Sequence, residues 1–255
     1  MGNTKKYSDD FVAELVELYK KQLAALRAVK LSTNVPGISH QHVVPQATYA
    51  PWLDHAAFKQ AYELARHNTL VDIQRCFELW QLVERGRHVE GNILEVGVWR
   101  GGTGSLMAKA AQLYSSGTRV FLADTFKGVV KAGTNDTNYK GGEHADTTQE
   151  VVRTLLGSQG VDNTELLVGI YPDEIDRTIF GDTPIKLCHI DVDTYDSAKD
   201  IFDEVWPRMA RGGAVVFDDY GFWGCEGVTR LCNSIDRPDA RFVHNLNGHA
   251  LFFKL

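Results

Sequence analysis

Cysteine is scarce in this chain: four in 255 residues, Cys76, Cys188, Cys225 and Cys232. None forms a C-x-x-C pair, so no zinc knuckle is expected. Cys188 also sits inside a predicted buried strand, and together these features point to a reduced, cytoplasmic compartment. Long apolar runs are missing too. None approaches the length that crosses a bilayer, and the first residues, MGNTKKYSDDF, carry no signal-peptide core. A basic excess is absent: 27 Lys and Arg stand against 33 Asp and Glu, a net charge of −6. That composition gives no support to a nucleic-acid partner, which calls for a basic stripe. There is no internal repeat and no low-complexity linker. The chain is long enough for one large α/β domain with a full core.

The rhythm of apolar residues changes near residue 90. Before it, Phe11, Leu15, Leu18, Leu23 and Leu26 form a helical stripe over residues 8–29, with Ser8 as N-cap. An irregular Pro-bearing segment follows, 31–51, containing His40 and His42. Residues 54–86 read as two helices, with Phe58, Tyr62, Ile73, Phe77, Trp80 and Val83 inward. After it, strands are predicted at 92–96, 119–123, 165–168, 185–190 and 214–217, with helices between them. Alternation of this kind predicts an α/β, doubly wound, mostly parallel sheet. Asn247-Gly248 between two apolar runs predicts a closing antiparallel hairpin. The expected division is an N-terminal helical region, 1–90, within the same domain as a core at 91–255.

Two acid pairs stand where predicted strands end: Asp191 and Asp193 in CHIDVDTYD, Asp218 and Asp219 in GGAVVFDDYG. Acids at strand ends face the crevice where open α/β sheets bind ligands. Two carboxylates about 4 Å apart repel by roughly 4 kcal/mol at an effective dielectric of 20. A proton must relieve them, or a hard divalent cation such as Mg²⁺ must bind. Spacing alone does not divide the four between ligand and base. His189 shares the strand face of Asp191 and reads as a core histidine. His40-Gln41-His42 has nothing nearby to complete a metal site.

At 93–105 stands ILEVGVWRGGTGS. Its glycines do not match G-x-G-x-x-G, so the dinucleotide fingerprint is not met. Gly97 and Gly101 permit a close backbone approach, while Thr103 and Ser105 can cap the next helix or bond a ligand carboxylate. Glu95 suits a cofactor with a positive end, such as the amino group of S-adenosylmethionine. Asp124, ending the second strand, stands where an acid takes ribose hydroxyls. The long loop after it carries Glu143, His144 and Asp146, and loops of that length are often lids. Trp99 and Phe126 either stack on the cofactor or pack.

The pieces EVGVWRGGTGS, LADTFKG, VGIYPDEI, IDVDTYDS and GGAVVFDDYG, in this order and with the terminal hairpin, resemble the macrocin-type (TylF/MycF) sugar O-methyltransferases of antibiotic biosynthesis. The resemblance covers residues 66–255. It implies a Rossmann-like class I methyltransferase using S-adenosylmethionine and Mg²⁺ on a sugar hydroxyl of a glycosylated natural product. By motif, Asp191, Asp218 and Asp219 resemble the metal ligands and Asp193 the general base. Thr69 resembles a residue near the methionine end of the cofactor, with a simple helix cap as its other reading. Two elements depart from the family pattern: Gly169-Ile170-Tyr171-Pro172-Asp173-Glu174, where G-W-F-P/K-D-T is usual, and Asp191-Val192-Asp193-Thr194-Tyr195, where D-G-D-L-Y is usual. The alternatives are methylation of a catechol-like aromatic diol and a non-catalytic S-adenosylmethionine-binding protein. An oxidoreductase lacks both its fingerprint and an apparent His₂-carboxylate triad. The N-terminal helices carry more apolar surface than the sheet needs, so a homodimer or larger homo-oligomer is expected.

Overall fold

A computed structural model describes residues 7–31, 35–43 and 47–255. The start of the N-terminal segment (1–6), and 32–34 and 44–46 of the irregular segment, lie outside the described residues. Contacts divide the chain into two units, Met1–Tyr49 and Ala50–Leu255.

In the first unit, α1 spans Asp9–Ala28. Ser8 caps it, its side chain accepting from the Phe11 N–H at 3.3 Å, and Asp9 and Asp10 in the first turn complement the helix dipole. Of the expected stripe only Leu23 is buried; Phe11, Leu15, Leu18 and Leu26 are exposed. Two short strands, β1 (Lys30–Leu31) and β2 (His40–Gln41), pair antiparallel.

The second unit begins with α2 (Ala56–Ala65) and α3 (Ile73–Arg85). Asp72 caps α3, accepting from the N–H groups of Gln74 and Arg75. A seven-stranded sheet follows: β3 (Asn92–Val96), β4 (Val120–Asp124), β5 (Thr164–Val168), β6 (Ile185–Ile190), β7 (Met209–Phe217), β8 (Ala240–His244) and β9 (Ala250–Lys254). Its order is β5-β4-β3-β6-β7-β9-β8. The first five strands pair in parallel. The hairpin β8–β9 adds antiparallel, with β9 against β7. The predicted doubly wound sheet and its closing hairpin are thus both present.

Helices α4 (Gly102–Tyr114), α5 (Gln149–Gln159), α6 (Tyr195–Val205) and α7 (Glu226–Ser234) cover the two faces. On one face Phe58, Phe77, Trp80 and Val83 meet Ile93, Leu122 and Val216. On the other, Ile201, Phe202 and Trp206 meet Phe121, Phe217 and Phe252. Strand β7 starts five residues before the predicted Ala214. Its ladder skips from Ile185↔Met209 to Leu187↔Ala214, so the extra residues form a bulge. Gly212 has φ +81°, and a Cβ on Gly213 would lie 2.7 Å from the Lys186 carbonyl. The two glycines that precede the predicted strand are a bend within the observed one. No helix among the described residues is long and apolar enough to cross a membrane.

Candidate active site

A parallel sheet puts all its strand ends on one edge, and the parallel register aligns β3, β6 and β7 there: Val96 pairs with Ile190 and Ile190 with Phe217. The residues immediately after these strands therefore meet. A cavity of about 320 Å³ opens at this edge, lined by Gly97, Asp124, Asp191, Asp193, Asp218 and Asp219 among others.

The glycine turn forms one wall. Gly97 has φ +91°, and a Cβ there would lie 1.6 Å from the Asp191 carbonyl oxygen, so no other residue fits. Asp124 holds the turn from β4. Its Oδ2 accepts from the N–H groups of Val98 (2.7 Å) and Trp99 (2.8 Å), and Oδ1 from Phe126 N–H (2.7 Å). Thr69 and Thr103 also line the cavity, and Thr69 Oγ1 accepts from Val71 N–H. Glu95, Gly101 and Ser105 do not line it. Glu95 and Ser105 are fully buried: Glu95 bonds His189 Nδ1 at 2.9 Å, and Ser105 donates to the Gly102 carbonyl. Gly101, at φ +85°, packs against Val152.

All four aspartates come together. Oxygens of Asp191, Asp218 and Asp219 lie within 4.8 Å of one another. Burial, with the charges of Asp218 and Asp219, pushes the Asp191 carboxyl well above its ordinary range. Burial and the charges of Asp193 and Asp218 do the same to Asp219. Asp218 behaves in the opposite way. Burial opposes its ionisation, but bonds from His189 and His249 and the charge of Arg75 hold it far below the usual range.

Asp193 sits in a left-handed turn at φ +64°, a conformation Asp tolerates better than most residues. Its N–H donates to Asp219 Oδ2 at 2.9 Å. Burial raises its carboxyl pKa, while a hydrogen bond from Tyr139 lowers it; the net direction is up. Tyr139 belongs to the loop after β4. Burial and the Asp193 charge keep its hydroxyl protonated, so it donates. That loop is pinned at several points. Asp136 Oδ1 accepts from Tyr195 N–H, Thr137 bonds Glu226, and Thr194 and Ser197 donate to the Val130 carbonyl. His144 lines the cavity, and its ring lies 6.2 Å from that of Tyr139. Glu143 instead accepts from the N–H groups of Lys140 and Gly141. Trp99 lies on the same wall and donates to Asp146.

Three contributors escaped the sequence reading: Arg75, Tyr139 and His249. Arg75 had a legible signal. It lies on the apolar face of α3 with Cys76, Leu79, Trp80 and Val83, all buried, where an arginine needs a partner. Nη1 reaches Asp218 Oδ2 at 2.5 Å, and the guanidinium covers the Phe222 ring at 4.6 Å. His249 and Tyr139 carry no such signal, because the strand pairing and the loop path that place them are long-range.

With this geometry in view, the family model for macrocin-O-methyltransferase (TylF) matches residues 41–237. The chain belongs to the macrocin-O-methyltransferase (TylF) family. It is 29% identical over 170 residues to the 8-demethyl-8-(2,3-dimethoxy-alpha-L-rhamnosyl)-tetracenomycin-C 4'-O-methyltransferase of Streptomyces olivaceus, covering 62% of this chain and 64% of that one. It is 30% identical to the demethyldecarbamoylnovobiocin O-methyltransferase of Streptomyces niveus, covering 61% and 63%. The chain thus spans less than two thirds of the length of either relative. The solved structure of the O-methyltransferase NovP shares the fold, with a TM-score of 0.60 at 23% identity over 73% of this chain and 82% of that one.

Proposed function

We propose that this TylF-family chain is a metal-dependent O-methyltransferase that moves a methyl group from S-adenosylmethionine to a sugar hydroxyl of a glycosylated secondary metabolite. The observation that carries the reading is the carboxylate group at the sheet edge. Asp219 is buried and Asp191 half-buried, and burial with the charges of neighbouring aspartates pushes both carboxyl pKa values up, so the donor set fits a hard divalent cation. The glycine turn at Gly97 and the Asp124 anchor stand beside it in the same cavity. The rhamnosyl-tetracenomycin relative is named for a sugar position, which supports a sugar acceptor.

In this reading Asp191, Asp218 and Asp219 hold Mg²⁺ or a similar cation. Gly97, Thr69, Thr103 and Asp124 line the cofactor side, with Glu95, Gly101 and Ser105 shaping the turn from behind. When bound, S-adenosylmethionine supplies an electrophilic methyl group and the cation acidifies the acceptor hydroxyl. Asp193 takes the hydroxyl proton; its raised pKa makes it a stronger base than an ordinary carboxylate. Tyr139 orients that carboxylate by donating to it. Exposed Trp223 and Leu70 give the cavity an apolar mouth, where an aglycone finds apolar contact. The working form is a soluble, cytoplasmic homo-oligomer: the four free cysteines suit a reducing compartment, and the exposed apolar side chains of α1 support the oligomer.

A methyl-transfer screen against deoxysugar glycosides tests this, with Mg²⁺ and with EDTA. Mass-shifted glycosides are expected with Mg²⁺ and none with EDTA. Transfer only to vicinal aromatic diols would replace the sugar acceptor, and cofactor binding without transfer to any acceptor would end the enzymatic reading.

A further inference from the structure

Beneath the carboxylates runs a line of buried and half-buried polar groups from five different elements. Glu95 of β3 meets His189 Nδ1 of β6 at 2.9 Å. His189 Nε2 lies 3.4 Å from Asp218 Oδ1. His249, just before β9, brings its Nε2 to the same oxygen at 2.9 Å. Its Nδ1 meets Glu78 of α3. Glu95, His189 and His249 are all wholly buried.

Each imidazole therefore faces a carboxylate at both nitrogens. A carboxylate oxygen stands within reach of every ring nitrogen, so a proton on either one finds an acceptor. Asp218 Oδ1 faces both rings, and Oδ2 receives Arg75. Its carboxylate has one available orientation. Asp191 is different: among the described residues no hydrogen bond is found at its carboxylate. The Asp219 carboxylate takes the backbone N–H of Asp193 and a long contact at 3.8 Å from the Cys225 thiol. A buried chain of charged groups contributes little net stability compared with apolar packing of the same shape. What it supplies is a fixed geometry, because a partly satisfied network is costly to rearrange. His189, Asp218 and His249 also lie close enough to act as a metal triad. Arg75, 2.5 Å from the same carboxylate, already supplies a positive charge there.

We propose that His249 and His189 are positioning residues that set the Asp218 carboxylate for the divalent cation, so that the C-terminal hairpin and Glu78 of α3 help determine cation affinity. This rests on the metal reading above. Groups that orient a ligating carboxylate are worth about 10–100-fold in metal affinity.

The test is Mn²⁺ titration of the full chain, followed by the paramagnetic signal of the free ion, with S-adenosylmethionine affinity measured separately by calorimetry. His249→Leu, which removes the donor, is expected to weaken Mn²⁺ about 10–100-fold and leave cofactor affinity within about twofold. His249→Gln, which keeps an N–H at similar reach, is expected to stay within about threefold of the parent chain. Unchanged Mn²⁺ affinity in His249→Leu overturns the positioning role, as does equal loss in both variants. Should His249→Leu fail to fold, Glu78→Gln replaces it, with a loss of about threefold to tenfold expected and no loss overturning the proposal. A parent chain that binds no Mn²⁺ sinks the metal reading itself, which separates the two failures.

Discussion

The position of Asp193 lets one substitution isolate its chemistry. Its backbone is left-handed, and asparagine tolerates that conformation as aspartate does. Asp193→Asn therefore keeps the turn and the N–H that donates to Asp219. It removes the group that accepts the proton. Turnover is expected to fall about 10²–10⁴-fold, the range for loss of a general base, with Mn²⁺ and S-adenosylmethionine affinities unchanged. Turnover like that of the parent chain would take Asp193 out of the mechanism. The four aspartates were legible because each follows a short apolar run, and parallel strands bring such positions to one edge. Their unequal electrostatics were not legible. Asp218 is held ionised by Arg75, His189 and His249, which come from α3, β6 and the hairpin. No local pattern reports that convergence. Glu95 shows the same limit from the other side: the sequence places it beside the glycine turn, yet the pleat aims it at His189 rather than into the cavity.

Helix α3 connects stability with the site, because it carries both Arg75 and Glu78. Its start depends on Asp72, which caps two N–H groups and pairs with Arg75 Nε at 2.8 Å. Asp72→Ala is expected to cost about 1 kcal/mol, a usual value for loss of an N-cap, read as a lowered denaturation midpoint at neutral pH. Burial raises the Asp72 pKa, but the Arg75 and backbone bonds outweigh it, so the folded value lies below 3.8. A depressed carboxylate stabilises the fold above its unfolded pKa and loses that contribution as pH falls through the folded one. The gap between parent and Asp72→Ala should therefore be full near pH 7, begin to close below about pH 4, and vanish only at still lower pH. A gap that stays constant across this range would remove the charge from the account and leave shape alone. Element types in this unit followed from apolar period, but the caps did not: α3 is capped by Asp72 and α4 starts at Gly101 without a side-chain cap. The early part of β7 did not follow, since only the approach of the Lys186 backbone to Gly213 shows that the strand runs through these glycines.

At the scale of the whole molecule, α1 is the part least explained by its own unit. Its stripe is helical and correctly capped, yet Phe11, Leu15, Leu18 and Leu26 remain 42–53% exposed. Burying such a side chain fully contributes about 1.5–3 kcal/mol, and contiguous apolar exposure marks interaction surfaces. The sequence shows the stripe; what covers it lies outside the stripe and so is not written in it. The proposed homo-oligomer would cover it. Light scattering is expected to give a mass that is a multiple of the 28.5 kDa chain. Leu15→Glu with Leu18→Glu would place two charges on the stripe, and a shift to 28.5 kDa is expected. The described cavity is lined by residues of Ala50–Leu255, so S-adenosylmethionine affinity should survive the pair of substitutions. A parent chain already at 28.5 kDa would mean that α1 meets some other surface and that the oligomer does not exist.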